Sequence, residues 1–123
     1  MTTEKTPDRN RRLLIVETDD LIRELLVRWL TEADYLVETD DSTPRGVALV
    51  IADVPNPAQA AVALRALSVR HGGVPILAIS GRFRRDVAAS EDAARRFGVA
   101  RMLPKPFTCK ELLTAVARCL GGG

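Results

Sequence analysis

Short apolar runs, each stopped abruptly by a polar residue, are the feature that most constrains the fold of this chain. They occupy residues 13–16, 47–52 and 76–79. A run that is apolar at every position is typical of a strand buried on both faces of a parallel sheet. The longest of these runs has six residues, whereas a membrane-spanning helix needs about 20. The pattern therefore predicts sheet strands and no membrane span.

Segments with helical spacing separate the strands. Two weaker strands are predicted at 35–37 and 102–103. One predicted helix follows Asp20 as its N-cap, and the next ends at about Arg70. A further helix spans 86–97, and the last begins with Thr108 and Glu111 as a capping box. Strands that alternate with helices at this spacing indicate an α/β fold with a parallel sheet.

Length and composition indicate one globular domain. The 123 residues are 46% hydrophobic and 28% charged, with a net charge of +2, too small to require a nucleic-acid partner. Two cysteines cannot form a disulfide framework. The N-terminus has no apolar core of a secretory signal, so a cytoplasmic location is expected. We expect a disordered arm over 1–11, the domain over 12–120 and a flexible tail over 121–123.

The polar residues that terminate the strands are the candidate functional residues. They are Glu17, Thr18, Asp53, Ser80 and Lys105. Ligands of open parallel sheets bind at the carboxyl ends of the strands, so these residues are expected at one edge. Two carboxylates there favour a divalent cation such as Mg²⁺, while a lysine and a hydroxyl suit phosphate oxygens. The set indicates phosphoryl transfer to an aspartate.

In this order and spacing, the residues resemble the receiver domains of two-component response regulators. The resemblance covers about residues 12–120. It rests on the acidic end of the first strand at 13–17, Asp53 followed by Pro57, the pair 80–81, and the segment 105–108. It implies a flavodoxin-like fold, with a doubly wound, five-stranded parallel sheet and a cis peptide bond after the lysine.

The resemblance also implies a role for each site residue. Asp53 is the expected phosphoacceptor, with Lys105 neutralising one phosphoryl oxygen and Ser80 bonding another as a switch residue. The Mg²⁺ ligands implied are Glu17, Asp53 and the backbone carbonyl of Pro55. The phosphodonor is a histidine kinase, a phosphotransfer protein or a small phosphodonor.

The implied function is that of a stand-alone, single-domain response regulator in a phosphorelay. It is not expected to be an enzyme, beyond self-phosphorylation from small donors and autodephosphorylation. A phosphorylated receiver acts by a population shift between two states, so its output is docking to a downstream protein. A homodimer is compatible with this function. Nucleic acid is not expected, because the basic segments contain almost no aromatic residue besides Phe83.

Several residues depart from the family pattern. Thr18 stands where the family has a second acid, so Mg²⁺ binding is expected to be weak or lost, and Asp19 points toward the helix start. Met102 replaces the usual aromatic switch residue. The loop after Ser80 is longer and basic, with arginines at 82, 84 and 85.

The link between the second and third strands is too short for an ordinary helix. We therefore expect the second helix to be missing or shortened. The alternative function is a phosphorylation-independent pseudo-receiver, which keeps the fold and acts as a constitutive protein-binding module.

Overall fold

The computed structural model describes residues 11–39, 46–84 and 91–121, which form a five-stranded parallel sheet with helices on both faces. The strands are β1 (Arg12–Val16), β2 (Leu36–Glu38), β3 (Leu49–Asp53), β4 (Ile76–Ser80) and β5 (Arg101–Pro104). The helices are α1 (Asp20–Glu32), α2 (Ala61–Arg70), α3 (Glu91–Phe97) and α4 (Cys109–Cys119), with a 3₁₀ turn at Pro57–Gln59. The strand order is β2-β1-β3-β4-β5, and every neighbouring pair is parallel. The α/β, doubly wound, five-stranded prediction is confirmed.

Alternate residues of each strand enter two separate hydrophobic clusters, one on each face of the sheet. Helices α1 and α4 cover one face, where Leu26 and Leu112 pack with Ile15 and Ile51. Helices α2 and α3 cover the other face, where Leu64 and Ala94 pack with Leu14, Val50 and Ala78. Because successive side chains of a strand point to opposite faces, burial on both faces requires an apolar residue at every position. This requirement explains the unbroken apolar runs in the sequence.

The connection from β2 to β3 comprises residues 39–48, and its described part, Thr39 and 46–48, contains no helix. Its remaining residues, 40–45, lie outside the described ranges. Four α-helices are described, in agreement with the predicted loss or shortening of the second helix. On the adjoining strands, Arg12 Nη1 lies 2.6 Å from Glu38 Oε2 in a partly exposed ion pair, and Leu36 is 39% exposed.

The N-cap of α1 is Asp19, so the prediction of Asp20 as the cap is wrong by one residue. Asp19 has an extended backbone, and its Oδ1 accepts hydrogen bonds from the amides of Leu21 and Ile22. Asp20 is already the first helical residue, and its carboxylate pairs with Arg23 instead. A cap needs a non-helical backbone so that its oxygen can turn back onto the first free amides.

The capping box of α4 is confirmed. Thr108 Oγ1 accepts from the Glu111 amide at 3.0 Å, and Glu111 Oε1 accepts from the Thr108 amide at 2.9 Å. The inward face of α4 buries Leu112 completely and leaves its two cysteines as half-buried free thiols. Burial raises the pKa of the Cys119 thiol to about 11, and the opposing effect of the Arg101 charge is smaller.

Several predicted boundaries meet the limits of the described ranges. Residues 1–10, 85–90 and 122–123 lie outside them, so most of the predicted arm, the predicted start of the third helix and the end of the tail do too. Arg11, the last residue of the predicted arm, is anchored: it donates to the carbonyls of Ala33 and Asp34 at 2.7 and 2.8 Å. Its guanidinium also lies 4.4 Å from the centroid of the Tyr35 ring. No helix in the described part of the chain has the length and apolarity to cross a membrane.

Candidate functional site

The carboxyl edge of the sheet brings together Glu17, Asp53 and Lys105, which follow β1, end β3 and follow β5 respectively. Lys105 Nζ lies 2.9 Å from Asp53 Oδ1 and 3.2 Å from Glu17 Oε1. The three residues are far apart in the sequence and meet only because β1, β3 and β5 are parallel members of one sheet. The structure therefore places two of the predicted carboxylates around the ammonium group of the predicted lysine.

Burial differs sharply within this group. The side chain of Glu17 is 1% exposed, that of Asp53 12% and that of Lys105 21%. A buried carboxylate is costly unless it is paired and hydrogen-bonded. Glu17 Oε2 accepts from the Asp19 amide at 3.0 Å, whereas Oε1 has the Lys105 charge nearby but no well-aligned hydrogen bond from the described residues. Glu17 Oε1 therefore depends on the Lys105 ammonium group, 3.2 Å away, to balance its charge.

Lys105 carries a fixed positive charge. Burial lowers the pKa of its ammonium group, but the hydrogen bond to Asp53 and the charges of Asp53 and Glu17 together outweigh burial and hold the pKa above its ordinary value. The lysine therefore stays protonated at neutral pH and can balance negative charge at the open edge of the sheet.

Ser80 is the last residue of β4 and is 1% exposed. Its Oγ accepts from the Arg82 amide at 3.0 Å, and its carbonyl accepts from the Lys105 amide at 2.9 Å. The serine is therefore at the predicted edge and is tied to the lysine through the backbone. In the described structure its hydroxyl is bonded to the loop that follows β4, not to Asp53 or Lys105.

The expected metal ligands are only partly assembled. Thr18 is exposed, and the carboxylate of Asp19 is occupied as the α1 cap. Pro55 lies in the exposed loop after Asp53. The described ranges contain no cluster of three or more acidic, histidine or cysteine side chains that could hold a metal.

The residues present nevertheless fit a weakly held Mg²⁺ ion. This ion takes oxygen ligands, often only one or two carboxylates with water and phosphate completing the shell. The carboxylate of Asp53 and the unbonded Oε1 of Glu17 are such ligands. Thr18 adds a neutral hydroxyl in place of a third negative charge, and fewer charged ligands weaken binding.

The predicted switch position Met102 is buried. It lies in β5, is 6% exposed and belongs to the hydrophobic cluster that also contains Phe83 and the ring of Phe97. Phe83 packs 5.9 Å from Phe97 between ring centroids, so the loop after β4 is anchored beside α3. The arginines on either side of Phe83 are exposed; Arg85 lies outside the described residues.

Two contacts of the site were not predicted from the sequence. Arg23 Nη1 donates to the Glu17 carbonyl at 2.8 Å and so braces the turn between β1 and α1. Phe107 packs edge-on against Trp29 at 6.3 Å, which links the segment after Lys105 to α1. The Lys105–Pro106 peptide bond is cis, as the family resemblance implied. The only sequence signal for these contacts was the i, i+3 spacing of Asp20 and Arg23, and it did not predict the hydrogen bond from Arg23 to the Glu17 carbonyl.

Comparisons with known proteins agree on the fold. No protein-family model and no curated protein sequence matches this chain. A response regulator from Thermotoga maritima has a TM-score of 0.72 and 14% identity, with 89% of this chain and 97% of that chain covered. The beryllofluoride-activated NtrC4 receiver domain dimer has a TM-score of 0.71 and 19% identity, with coverages of 91% and 98%. A protein from Burkholderia pseudomallei described as pilus assembly-related has a TM-score of 0.70 and 20% identity, with 96% of each chain covered.

At these identities the similarity to known structures shows the fold alone, namely the five-stranded parallel sheet with helices on both faces. The chain has the receiver-domain fold of response regulators.

Proposed function

We propose that this chain is a response-regulator receiver domain that accepts a phosphoryl group on Asp53. The observation that carries the proposal is the contact of Lys105 Nζ with Asp53 Oδ1, at 2.9 Å, at the carboxyl edge of the sheet. An aspartate at a strand end is usually a simple cap or turn residue. Here it is held by a protonated lysine from another strand, next to a second, buried carboxylate.

The chemistry is nucleophilic attack by an Asp53 carboxylate oxygen on phosphorus. A P–O bond to Asp53 forms and the P–N bond of a phosphohistidine breaks, or the P–O bond of a small acyl phosphate, and the leaving group departs with the electron pair. Lys105 balances the charge of the phosphoryl oxygens at the position where that charge lies. The product is an acyl phosphate, which water hydrolyses to restore the carboxylate.

Mg²⁺ held by Glu17, Asp53 and the Pro55 carbonyl supplies further charge neutralisation at the phosphoryl oxygens when it is bound. The role of Glu17 is to hold a buried negative charge beside Lys105. Its burial and its bond from the Asp19 amide hold the carboxylate in place, and Arg23 braces the same turn.

Signal transmission begins at Ser80. To bond a phosphoryl oxygen, the Ser80 hydroxyl donates its hydrogen and moves toward Asp53, which weakens the bond that its Oγ accepts from the Arg82 amide and loosens the start of the loop after β4. That loop is anchored by Phe83 in the cluster shared with Met102. A shift of this cluster changes the surface of α3 and β5 offered to a downstream protein, in the two-state manner expected of receivers.

A second candidate function is supported by a specific observation. Thr18 is exposed and neutral, Asp19 is occupied as a cap, and Lys105 already contacts both remaining carboxylates. Each carboxylate of the site thus has a protein cation beside it, which favours the phosphorylation-independent pseudo-receiver.

Intact-mass measurement after incubation with acetyl phosphate and excess Mg²⁺ separates the two functions. The wild-type chain and an Asp20→Asn control, altered at an exposed acid near the site, are expected to gain one phosphoryl group, and Asp53→Asn is expected to gain none. A gain by Asp53→Asn would contradict the assignment of the acceptor. No gain by any of the three, with a phosphorylated phosphotransfer protein as well as with acetyl phosphate, would support the pseudo-receiver.

A further inference from the structure

The outer face of α2 carries an exposed apolar stripe that packs on nothing in the described structure. Val62 is 82% exposed, Val69 is 70% exposed, and Ala66 between them is also exposed. Their spacing of four and then three residues is that of the d, a and d positions of a heptad, the seam along which two helices pair. Leu64 points the other way and is buried against the sheet. Helix α2 is thus apolar on two sides, and the sheet uses one of them.

Arginines flank this stripe. With Ala66 at position a and Val69 at position d, Arg65 occupies the g position and Arg70 the e position, and both are exposed. Charges at e and g select the partner and its orientation in paired helices. Residues 54–85 contain five arginines and no aspartate or glutamate, so the helix and the segments next to it in sequence are basic.

The neighbouring helix carries both charges. Helix α3 packs on the same sheet face as α2. Its exposed Arg95 pairs with Asp92 at 2.6 Å, while Arg96 is also exposed. The charge beside the stripe is therefore set mainly by the arginines of α2 itself.

We propose that this face of α2 docks a helix of another protein, one with apolar residues at the same four-three spacing and acidic residues beside them. Charge complementarity selects this occupant. A second copy of this chain paired through α2 would place arginines against arginines, and like charges at flanking positions destabilise helix pairs.

Nucleic acid and membrane surfaces fit this face of α2 less well than an acidic helix does. Nucleic acid is bound through phosphates and by stacking on aromatic rings, and it leaves exposed valines without a role, while the nearby Phe83 is buried. A membrane surface is bound by helices whose apolar face carries Trp, Phe or Leu, and this face offers two valines and an alanine.

The docking site is small and distinct from the phosphoryl site. The ten residues of α2 extend about 15 Å, so the contact falls in the class below about 1,200 Å² that characterises weak, transient complexes. The loop and 3₁₀ turn after Asp53 separate α2 from Lys105 and Glu17. Docking is therefore expected in the Asp53→Asn chain as well, and its failure would be distinguishable from failure of the proposed phosphorylation.

The test uses two designed peptides of about 20 residues, long enough to form a helix. Both carry leucines at a and d; one has glutamates at e and g, the other lysines. Fluorescence anisotropy measures the binding of each to the full chain. We expect the acidic peptide to bind in the micromolar range and to bind about tenfold or more tightly than the basic peptide, with affinity falling as salt is added.

Variants locate the binding face. Val62→Asp with Val69→Asp is expected to weaken binding of the acidic peptide by about tenfold or more, and Arg65→Glu with Arg70→Glu to reverse the preference between the two peptides. Leu21→Asp is the matched control, because Leu21 on α1 is equally exposed at 76%, and it is expected to leave binding unchanged.

Three results with the peptides would overturn the proposal. They are no binding of the acidic peptide at about 1 mM, equal binding of the two peptides, and a loss in Leu21→Asp as large as that in the valine variant. Tighter binding to a single-stranded oligonucleotide or to anionic vesicles, unaffected by the valine changes, would overturn it in favour of a polyanion surface.

Discussion

The two ends of the ion-pair cluster at the sheet edge differ in how they are built. At the β3–β5 end, Asp53 and Lys105 meet directly, are partly exposed and are open to a small ligand. At the β1 end, three consecutive polar residues have separate surroundings: Glu17 is buried, Thr18 is exposed, and Asp19 caps α1. The comparison shows that Asp53 and Lys105 stand together at the end proposed to hold phosphate, whereas the β1 end adds only the carboxylate of Glu17 to that of Asp53 as a charged ligand for a metal.

The largest expected effect comes from removing the ammonium group that the two ends share. Lys105→Met leaves the buried Glu17 and Asp53 without a counter-charge, and breaking a buried pair in this way costs several kcal/mol. Because Lys105 is 21% exposed, we expect a lower free energy of unfolding by about 2–3 kcal/mol, measured by urea denaturation.

A second substitution tests the cause of that loss. Adding Glu17→Gln to Lys105→Met removes the uncompensated buried charge and should recover part of the lost stability. Lys110→Met, at an exposed lysine of α4, is the control and should change stability by less than about 0.5 kcal/mol. If the double variant were no more stable than Lys105→Met alone, Glu17 would not be the residue that needs the lysine.

The same pair has a defined pH dependence. The pKa of Lys105 is raised in the folded state above its ordinary 10.5, so its contribution to stability is fully present below pH 10.5 and is lost as the pH rises through the folded-state pKa. The difference in unfolding free energy between wild type and Lys105→Met should therefore be constant at neutral pH and shrink above 10.5.

Cys119 titrates in the same range, because burial raises the pKa of its thiol to about 11. The unfolded chain releases that proton first, so stability falls as the pH rises above 9.0. This loss is common to both proteins and cancels in their difference. A difference that stayed constant to high pH would show that Lys105 does not act through its charge.

A smaller effect is expected from restoring the missing acid. Thr18→Asp adds a carboxylate at the metal end and should tighten Mg²⁺ binding about tenfold, which corresponds to about 1.4 kcal/mol. The fluorescence of Trp29, the chain's one tryptophan, reports on the site through its contact with Phe107. Thr18→Asn, which adds no charge, is the control, and equal Mg²⁺ affinity in the two variants would refute the charge explanation.

The smallest effect on the site is expected from Asp19→Ala. Loss of the two hydrogen bonds to the Leu21 and Ile22 amides should lower stability by about 1 kcal/mol, with no change in Mg²⁺ affinity. Thr108→Ala, at the cap of α4, provides the matched comparison and should have a similar cost. Weaker Mg²⁺ binding in Asp19→Ala alone would show that this acid belongs to the site after all.

The sequence predicted the edge of the sheet better than the details within it. Glu17, Asp53, Ser80 and Lys105 were identifiable because each follows or ends an apolar run, and a parallel sheet places all strand ends of one kind together. Which of the two aspartates caps α1 was not predictable, because Asp19 and Asp20 satisfy the same composition rule for a cap. Only the backbone conformation at Asp19 decides between them.

The local sequence pattern also did not predict which residues of α2 stay exposed. Leu64 of α2 is buried against the sheet, and Leu67 packs beside it partly buried. The exposure of Val62 and Val69 could not be predicted, because an alanine-rich helix with apolar residues on both sides has no clear amphipathic pattern. Which side a sheet will cover depends on residues far away in sequence, and no short window contains that information.

The placement of Lys105 after the last strand has a consequence for how the chain assembles. Glu17 lies at the end of the first strand, and the cation that offsets its burial is supplied only when β5 has joined the edge of the sheet beside β4. An incomplete sheet lacking β5 therefore contains a carboxylate that resists burial, which raises the free energy of that intermediate relative to the finished fold. The ion pair thereby favours cooperative, all-or-none folding, in which the first and last strands become ordered together.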